Sequence, residues 1–517
     1  MAFLKSLHSQ SRHTRNAQAL AAAGKKGVDA SGFQGELVWP GDPSYEKDRK
    51  IFNPAFQGFP ALIAYCVSES DVAWCLSLGW QPTVCRSGGH STAGYSTNDG
   101  GLVIDTSRLN MVWVMPPFLP PPPGPLPLVV GPGAPFAKIN QYLSSLNLHI
   151  PGGGCGDVCI GGYMQGGGYG FTSRQYGMNC DNVIAFEMML ANQQMVVANA
   201  NTNGDLYWAV RGGTGNNFGV VTAVVYKLHY LPGVWGVWLQ WPIQYAAQAL
   251  VELQANYMLS GAPDTFGYMS MICEQNGAPV LMVRAMFTGS EQDLDQIIQP
   301  LLALPGAGPP PGTPLKKFGT YYDMNTALLE TPLPIPQLDP NTPWGEDKQA
   351  GYITRTLQQS DWQAIIDYYL SSTLPGRMIV LEPYGGAINQ VPVGNCAFIH
   401  RNAAMDFFVD VFWDITTQGE IEAKQWLNGF MALMQSYFDG RVYQNYPRRT
   451  ITNYAEAYWA EAYPTLVKVK QKYDPNNFFQ FPQSIGMSSQ GYPIPPIPTA
   501  ADPFLGQPIV YRNQLKR

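Results

Sequence analysis

The chain has 517 residues, of which 45% are hydrophobic and only 13% charged, with 31 Lys+Arg against 37 Asp+Glu for a net charge of −6. That length, at roughly 150 residues per domain, suits two to four units with a sizeable core. The charge balance leaves no basic field to hold a phosphate backbone, so a nucleic-acid binder is disfavoured. No stretch reaches the ~18–20 consecutive apolar residues of a membrane span, and the 53 Gly and 44 Pro follow no Gly-X-Y period.

Residues 1–27 carry five Lys/Arg and no acid, and they lack the apolar core of a secretory signal. They read as a solvated or loosely docked leader on a cytoplasmic protein that engages no membrane, with an organelle-type presequence as the alternative. A strand is expected at Ala61–Val67, then a helix at Asp71–Leu78 capped by Ser70, then strands at Gln81–Cys85 and Leu102–Asp105. Proline clusters at 116–135, 305–314, 332–343 and 492–503 read as polyproline loops, excluded from helices and central strands. Pro135–Leu146 fits a helix with proline at its start. Val183–Leu190 and Met195–Ala198 read as a strand pair, and Asn217–Leu231 as a long β run.

From about 234 the texture changes. Strands are expected at Trp235–Trp241, Thr265–Cys273, Val280–Phe287, Arg377–Tyr384 and Phe407–Trp413. Helices are expected at Gln244–Leu259, Ser290–Leu304 and Asp361–Ser371. Such a run of strands with helices on one side predicts a sheet with one covered face. Residues 455–473 have an amphipathic helical pattern that restarts at Pro464.

The eight cysteines form no CxxC, and the six histidines never pair at metal-ligand spacing. A disulfide framework and a metal site both lack support. There is no GxGxxG and no GxxxxGK[ST], which disfavours a Rossmann fold and a P-loop. GHSTA at 89–93 misses the nucleophile-elbow pattern at Ala93. The densest glycine segment is PGGGCGDVCIGGYMQGGGYG at 151–170, accompanied by Arg86–Ser91 and Arg211–Gly219. Such backbone comes close to whatever lies beside it, and its amides can cradle a pyrophosphate without a basic patch.

Four ordered blocks then carry a resemblance: PTVCRSGGHSTAGYSTNDGGLVIDTSRLN at 82–110, the glycine-rich block at 151–183, DLYWAVRGGTGNNFGVVT at 205–222, and YQNYPRR with KYDPNNFFQFPQSI between 443 and 485. The chain resembles the berberine-bridge-enzyme-like branch of the vanillyl-alcohol-oxidase (PCMH-type) flavoproteins. The resemblance implies an α+β fold: two α/β subdomains holding FAD, plus a substrate domain built on an antiparallel sheet backed by helices. It divides the chain into a leader and first elements (1–54), an FAD domain (55–233), a substrate domain (234–430) and a segment returning to the FAD domain (431–517).

The resemblance also implies that His90 and Cys155 attach covalently to the flavin, with Cys159 as competitor. It places Arg86, Ser87, Gly88, Gly89, Ser91, Gly154, Gly156, Asp157, Val158, Gly161, Gly162, Gly168, Tyr169, Gly170, Asp181, Val183, Gly219, Val221, Asn445, Asn477 and Phe479 at the cofactor. Tyr446 matches the family's catalytic tyrosine. A phenolic base needs a neighbour to lower its pKa; Arg448 or Arg449 is the candidate, with a surface role as the equal alternative, and the family usually has Asp where this chain has Arg448. Glu382, Tyr384 and Asp410 are the candidate supporting groups. By period-2 alternation Asp410 shares a face with Phe408 and Phe412. Valine at 158 points to an oxidase. The implied reaction is hydride transfer from an alcohol carbon, on a sugar, oligosaccharide or secondary metabolite, to flavin N5, with molecular oxygen reduced to hydrogen peroxide. An oxidative cyclase or dehydrogenase of the same family, and a flavin- or carbohydrate-binding protein without turnover, are the competing readings. A monomer or homodimer is expected.

Overall fold

The computed structural model describes residues 30–115, 127–259, 261–330, 343–417 and 419–488. The leader, the proline run at 116–126 and the clusters at 332–342 and 492–503 lie outside the described residues. The architecture is α+β, with three main sheets. The first orders Glu36–Val38, Leu62–Tyr65, Leu102–Asp105 and Thr83–Arg86, the last three parallel. Leu102–Asp105 lies inside it, and all four of its residues are buried: Leu-Val-Ile as an apolar run and Asp105 against Arg86.

The second sheet is antiparallel and orders Val112–Val114, Pro127–Val130, Val220–Lys227, Val183–Met189 and Met195–Asn199. Pro127–Val130 corrects the proline-loop reading of 116–135. Proline occupies the strand's first position, where its missing N–H costs least, and Leu-Val-Val then pairs on both sides.

The third sheet has seven antiparallel strands: Lys316–Gly319, Val234–Pro242, Ala278–Phe287, Phe266–Gln275, Arg377–Pro383, Met405–Asp414 and Trp344–Ile353. Its two faces differ. One face, including Leu239, Ile272, Leu381 and Val409, packs with buried residues of the helices Ala246–Tyr257, Glu291–Leu302, Gln359–Leu370 and Gly419–Met434. The opposite face turns Met271, Met378, Val380 and Phe408 toward the core of the second sheet. The C-terminal helix Tyr463–Tyr473 returns to the first half of the chain. Lys470 Nζ donates to Asn217 O at 2.6 Å, and Tyr473 Oη to Asp205 at 2.7 Å.

The helix expected at Asp71–Leu78 starts earlier, at Glu69. Its cap is Ser68, whose Oγ accepts from Asp71 N at 3.2 Å, while Ser70 lies inside the first turn. Trp344–Ile353 and Gly419–Met434 were not anticipated. Among the described residues no helix is long and apolar enough to cross a membrane.

Candidate active site

A cavity of about 700 Å³ separates the glycine-rich segments from the open face of the seven-stranded sheet. Of the residues expected at a cofactor, Ser87, Gly88, Gly89, His90, Ser91, Gly154, Cys155, Gly156, Val158, Gly161, Gly162, Tyr169, Gly219, Val221 and Asn445 line it. Tyr446, Glu382 and Asp410 line it as well, together with Phe408 and Phe412.

The glycine wall leaves room for a flat, charged group. A Cβ at Gly89 would stand 3.7 Å from its nearest neighbour, and one at Gly162 would stand 3.9 Å away. Gly89 also holds φ +76°, a backbone state that favours glycine. His90 sits at the edge, its Nε2 3.1 Å from Asp157 Oδ2, and that hydrogen bond holds the Asp157 carboxyl below its usual range. Phe52 stacks on the imidazole at 4.5 Å. Cys155 is open to the cavity, and the protein packed around it pushes its thiol up. Cys159 also touches the cavity, but its Sγ donates to Gly133 O at 3.3 Å and lies against Gly88. These features fit an FAD: an open glycine cradle, a histidine at its edge and a thiol facing in.

The strands of the sheet bring the candidate acids and Lys348 together by register. Glu382 lies opposite Asp406, Met378 opposite Asp410, and Asp410 opposite Lys348. Tyr446 Oη lies 3.2 and 3.3 Å from the two Glu382 carboxylate oxygens. Burial pushes Glu382 up to about 7, against the pull of Lys348 and the Tyr446 hydrogen bond. Burial, and then the Glu382 charge, hold the Tyr446 phenol well above its usual value. The expected depression of this phenol by Arg448 or Arg449 is therefore corrected. Arg448 donates to the Gln349 side chain, and Arg449 donates to Ala93 O and lies over Phe56.

Lys348 is the cation at the site. Its Nζ lies 2.9 Å from Asp410 Oδ2, 4.4 Å from the centre of the Phe408 ring and 4.9 Å from that of Tyr446. Burial disfavours its charge, but Asp410 and Glu346 more than reverse this and hold the ammonium above its ordinary range. Burial also pushes Asp410 well up, with Lys348 opposing. Sequence reasoning missed Lys348 and Glu346. The signal was the run Glu-Asp-Lys-Gln at 346–349, three consecutive charged residues within a strand-length segment of a chain poor in charge. Replacing Lys348 with Met removes the charge that favours ionised Glu382. The acid limb of the kcat/KM–pH profile is expected to move to higher pH, and an unmoved limb would show that Lys348 only packs.

Other expected residues lie away from the cavity. Tyr384 does not line it: its hydroxyl pairs with Tyr352 at 2.9 Å and its ring stacks on Tyr169. Arg86 is spent on Asp105 at 2.6 Å. Asp181 takes both Nη atoms of Arg401, at 2.6 and 2.8 Å. Val183 begins a core strand, and Phe479 packs in the core of the first sheet. Gly168 donates to Tyr443 Oη at 2.7 Å, and Gly170 lies against Gly152 O with no room for a side chain. Asn477 holds a left-handed turn at φ +50°.

Residues 60–199 match the family model of the FAD binding domain, and residues 442–486 match that of berberine and berberine-like proteins. The uncharacterized FAD-linked oxidoreductase YvdP of Bacillus subtilis is 28% identical over 469 residues, spanning 87% of this chain and 98% of its own. The carbohydrate oxidase of Microdochium nivale is 27% identical over 513 residues, 91% of this chain and 97% of its own. The structure of Physcomitrella patens BBE-like 1 superposes with a TM-score of 0.78 at 24% identity, over 92% of this chain and 99% of that one. Fold, cradle and family models together define an FAD-dependent oxidoreductase. The chain is similar to the berberine-bridge-enzyme-like, PCMH/vanillyl-alcohol-oxidase-type FAD-linked oxidases.

Proposed function

We propose that the chain oxidises an alcohol carbon at the cavity and passes the electron pair to oxygen, RCH₂OH + O₂ → RCHO + H₂O₂. The observation that carries this reading is the Tyr446–Glu382 pair, a phenol and a carboxyl in hydrogen-bond reach of each other at the cavity wall. FAD, when bound, supplies the two-electron acceptor. A substrate hydroxyl at Tyr446 Oη gives its proton to the phenolic oxygen while the phenolic proton passes to Glu382. No free phenolate is needed, which suits a phenol whose burial opposes ionisation.

His90 and Cys155 would tether the cofactor, and the small side chain of Val158 would leave oxygen a path to it. In this reading the flavin half spans 55–233 with 431–517 returning to it, and 234–430 covers the substrate. Sugars, oligosaccharides and secondary-metabolite alcohols all carry the required carbon, and similarity to a carbohydrate oxidase supports the sugar branch.

Anaerobic mixing with a panel of alcohols tests the reading. Bleaching of the flavin, followed by peroxide release on admitting air, is expected, and a flavin that no alcohol bleaches would overturn it. Acid precipitation tests the tethers. The pellet is expected to stay yellow in the wild type and in His90→Ala and Cys155→Ala singly, and to lose its colour only in the double variant. Colour lost from the wild-type pellet would remove both assignments.

A further inference from the structure

Two pairs of cysteines meet in the core, away from the cavity, and they differ in chemistry. Cys66 and Cys75 lie 3.8 Å apart, Sγ to Sγ, and every neighbour acting on the Cys66 thiol raises it, burial first. In the second pair, the sulfurs of Cys180 and Cys396 and a carboxylate oxygen of Asp181 all lie within 4.8 Å of one another. A guanidinium holds this group together: Arg401 donates through both Nη atoms to Asp181, and one of them reaches Cys396 Sγ at 3.3 Å. A resident cation beside a sulfur favours a thiolate. The hydrogen bond from Cys180 holds the Cys396 thiol below its usual range, burial opposes this, and the Arg401 charge adds to it. Burial pushes the Cys180 thiol well up. One sulfur is thus a nucleophile, and the other keeps its proton.

The pair bridges two parts of the fold. Cys180 sits in the turn Asn179–Asn182, and its N–H donates to Gly167 O of the glycine-rich segment at 2.8 Å. Cys396 sits in the stretch that leads into Met405–Asp414 of the seven-stranded sheet. Both belong to one buried cluster with Phe398, Tyr384 and Tyr443, and Tyr446 packs against it. Cys396 is 1% exposed, but the chain reaches the surface three residues earlier, where Val393 is 46% exposed.

We propose that Cys180 and Cys396 form an oxidation site, a dithiol that hydrogen peroxide converts to a disulfide joining the glycine-rich segment to the approach of the seven-stranded sheet. The Cys396 thiolate attacks one peroxide oxygen. The O–O bond breaks, Cys396 becomes a sulfenic acid, and the other oxygen leaves as hydroxide and takes up a proton to become water. The Cys180 sulfur then attacks the Cys396 sulfur, its proton passes to the departing hydroxyl, and a second water leaves. The sum is 2 RSH + H₂O₂ → RSSR + 2 H₂O, with two electrons passing from the thiols to the peroxide. The proposed oxidase reaction releases this oxidant, but the test below supplies it directly and stands apart from that reading.

The experiment treats the full-length, flavin-loaded protein, first reduced with dithiothreitol and freed of it, with hydrogen peroxide at neutral pH. Peptide mapping by mass spectrometry after alkylation of free thiols is the readout. A peptide linking Cys180 to Cys396, lighter by two hydrogen atoms and split again by dithiothreitol, is expected. A link between Cys66 and Cys75 with Cys180 and Cys396 still reduced would overturn the proposal, as would a protein with no new link. Cys180→Ser keeps a hydroxyl to donate to Cys396 but removes the second sulfur. Its Cys396 is expected to stop at the sulfenic acid and to be captured by dimedone, whereas Cys396→Ser should leave Cys180 unreacted. Dimedone on Cys180 instead of Cys396 would overturn the assignment of the nucleophile. Flavin content reports the fold of both variants. The bridge closes a loop of roughly 200 residues, so the apparent Tm of the wild type is expected to rise by a few degrees on oxidation and to fall back on reduction. A linked protein with an unchanged or lowered Tm would overturn its role as a brace between these parts of the fold.

Discussion

Tyr446→Phe is expected to slow flavin bleaching by substrate about 10³-fold, a barrier increase of ~4 kcal/mol, while cofactor content and the fold stay unchanged. The substitution is conservative in packing. The ring of Tyr446 sits 4.9 Å from Phe408 and 4.9 Å from Tyr443, and phenylalanine keeps both neighbours. It also keeps a ring face for the Lys348 ammonium. What disappears is one oxygen, the atom that links the cavity to Glu382. Because burial keeps this phenol protonated, its work is to receive one proton as it releases another, and a ring without the hydroxyl does neither. Stopped-flow absorbance under anaerobic conditions measures the step directly. A variant within tenfold of the wild type would mean that another group takes the substrate proton.

Sequence reasoning reached the parts of this site that are backbone. Glycine-rich segments announce themselves because so many glycines serve no regular element, and residues 87–91 and 153–162 do meet at one cavity. Alternation likewise located Asp410 beside Phe408 and Phe412, since a strand buried on both faces rarely carries an acid in its middle. What was not legible is how the strands pair. Lys348 acquires its meaning only opposite Asp410, about 60 residues along the chain, and no local pattern encodes that its own strand closes the sheet edge beside Met405–Asp414. Assigning Arg448 to Tyr446 failed for the same reason. Nearness in sequence suggested a partner, but the chain turns that guanidinium toward Gln349. Tyr384 shows the limit of proximity along a strand: it lies two residues beyond Glu382, past the strand's end at Pro383, and its hydroxyl meets Tyr352 instead of the cavity. The cap shifted by two residues because Ser68 and Ser70 are equivalent as local signals.

Glu382→Gln is expected to lower the reductive rate about 10²-fold and to abolish its pH dependence near neutrality. The carboxylate must be ionised to receive the phenolic proton. With Glu382 pushed up to about 7, it is largely protonated below that pH and largely ionised above it. The wild-type rate should therefore rise with pH through about 7 and level off on the alkaline side. The groups around Glu382 support a single limb. Lys348 favours the ionised form, whereas the tyrosines 163, 169, 384 and 443 are all held above their usual range, chiefly by burial, and stay neutral across this window. Asp406, opposite Glu382 in register, is buried and pushed well above the usual carboxylate range, so it adds little charge of its own. Glutamine preserves the shape and an oxygen to accept from Tyr446, but it has no proton affinity to change with pH. A flat profile at reduced rate identifies Glu382 as the proton's destination. A profile that keeps its limb at about 7 in the variant would assign the titration to another group and leave Glu382 with the lesser task of orienting the phenol.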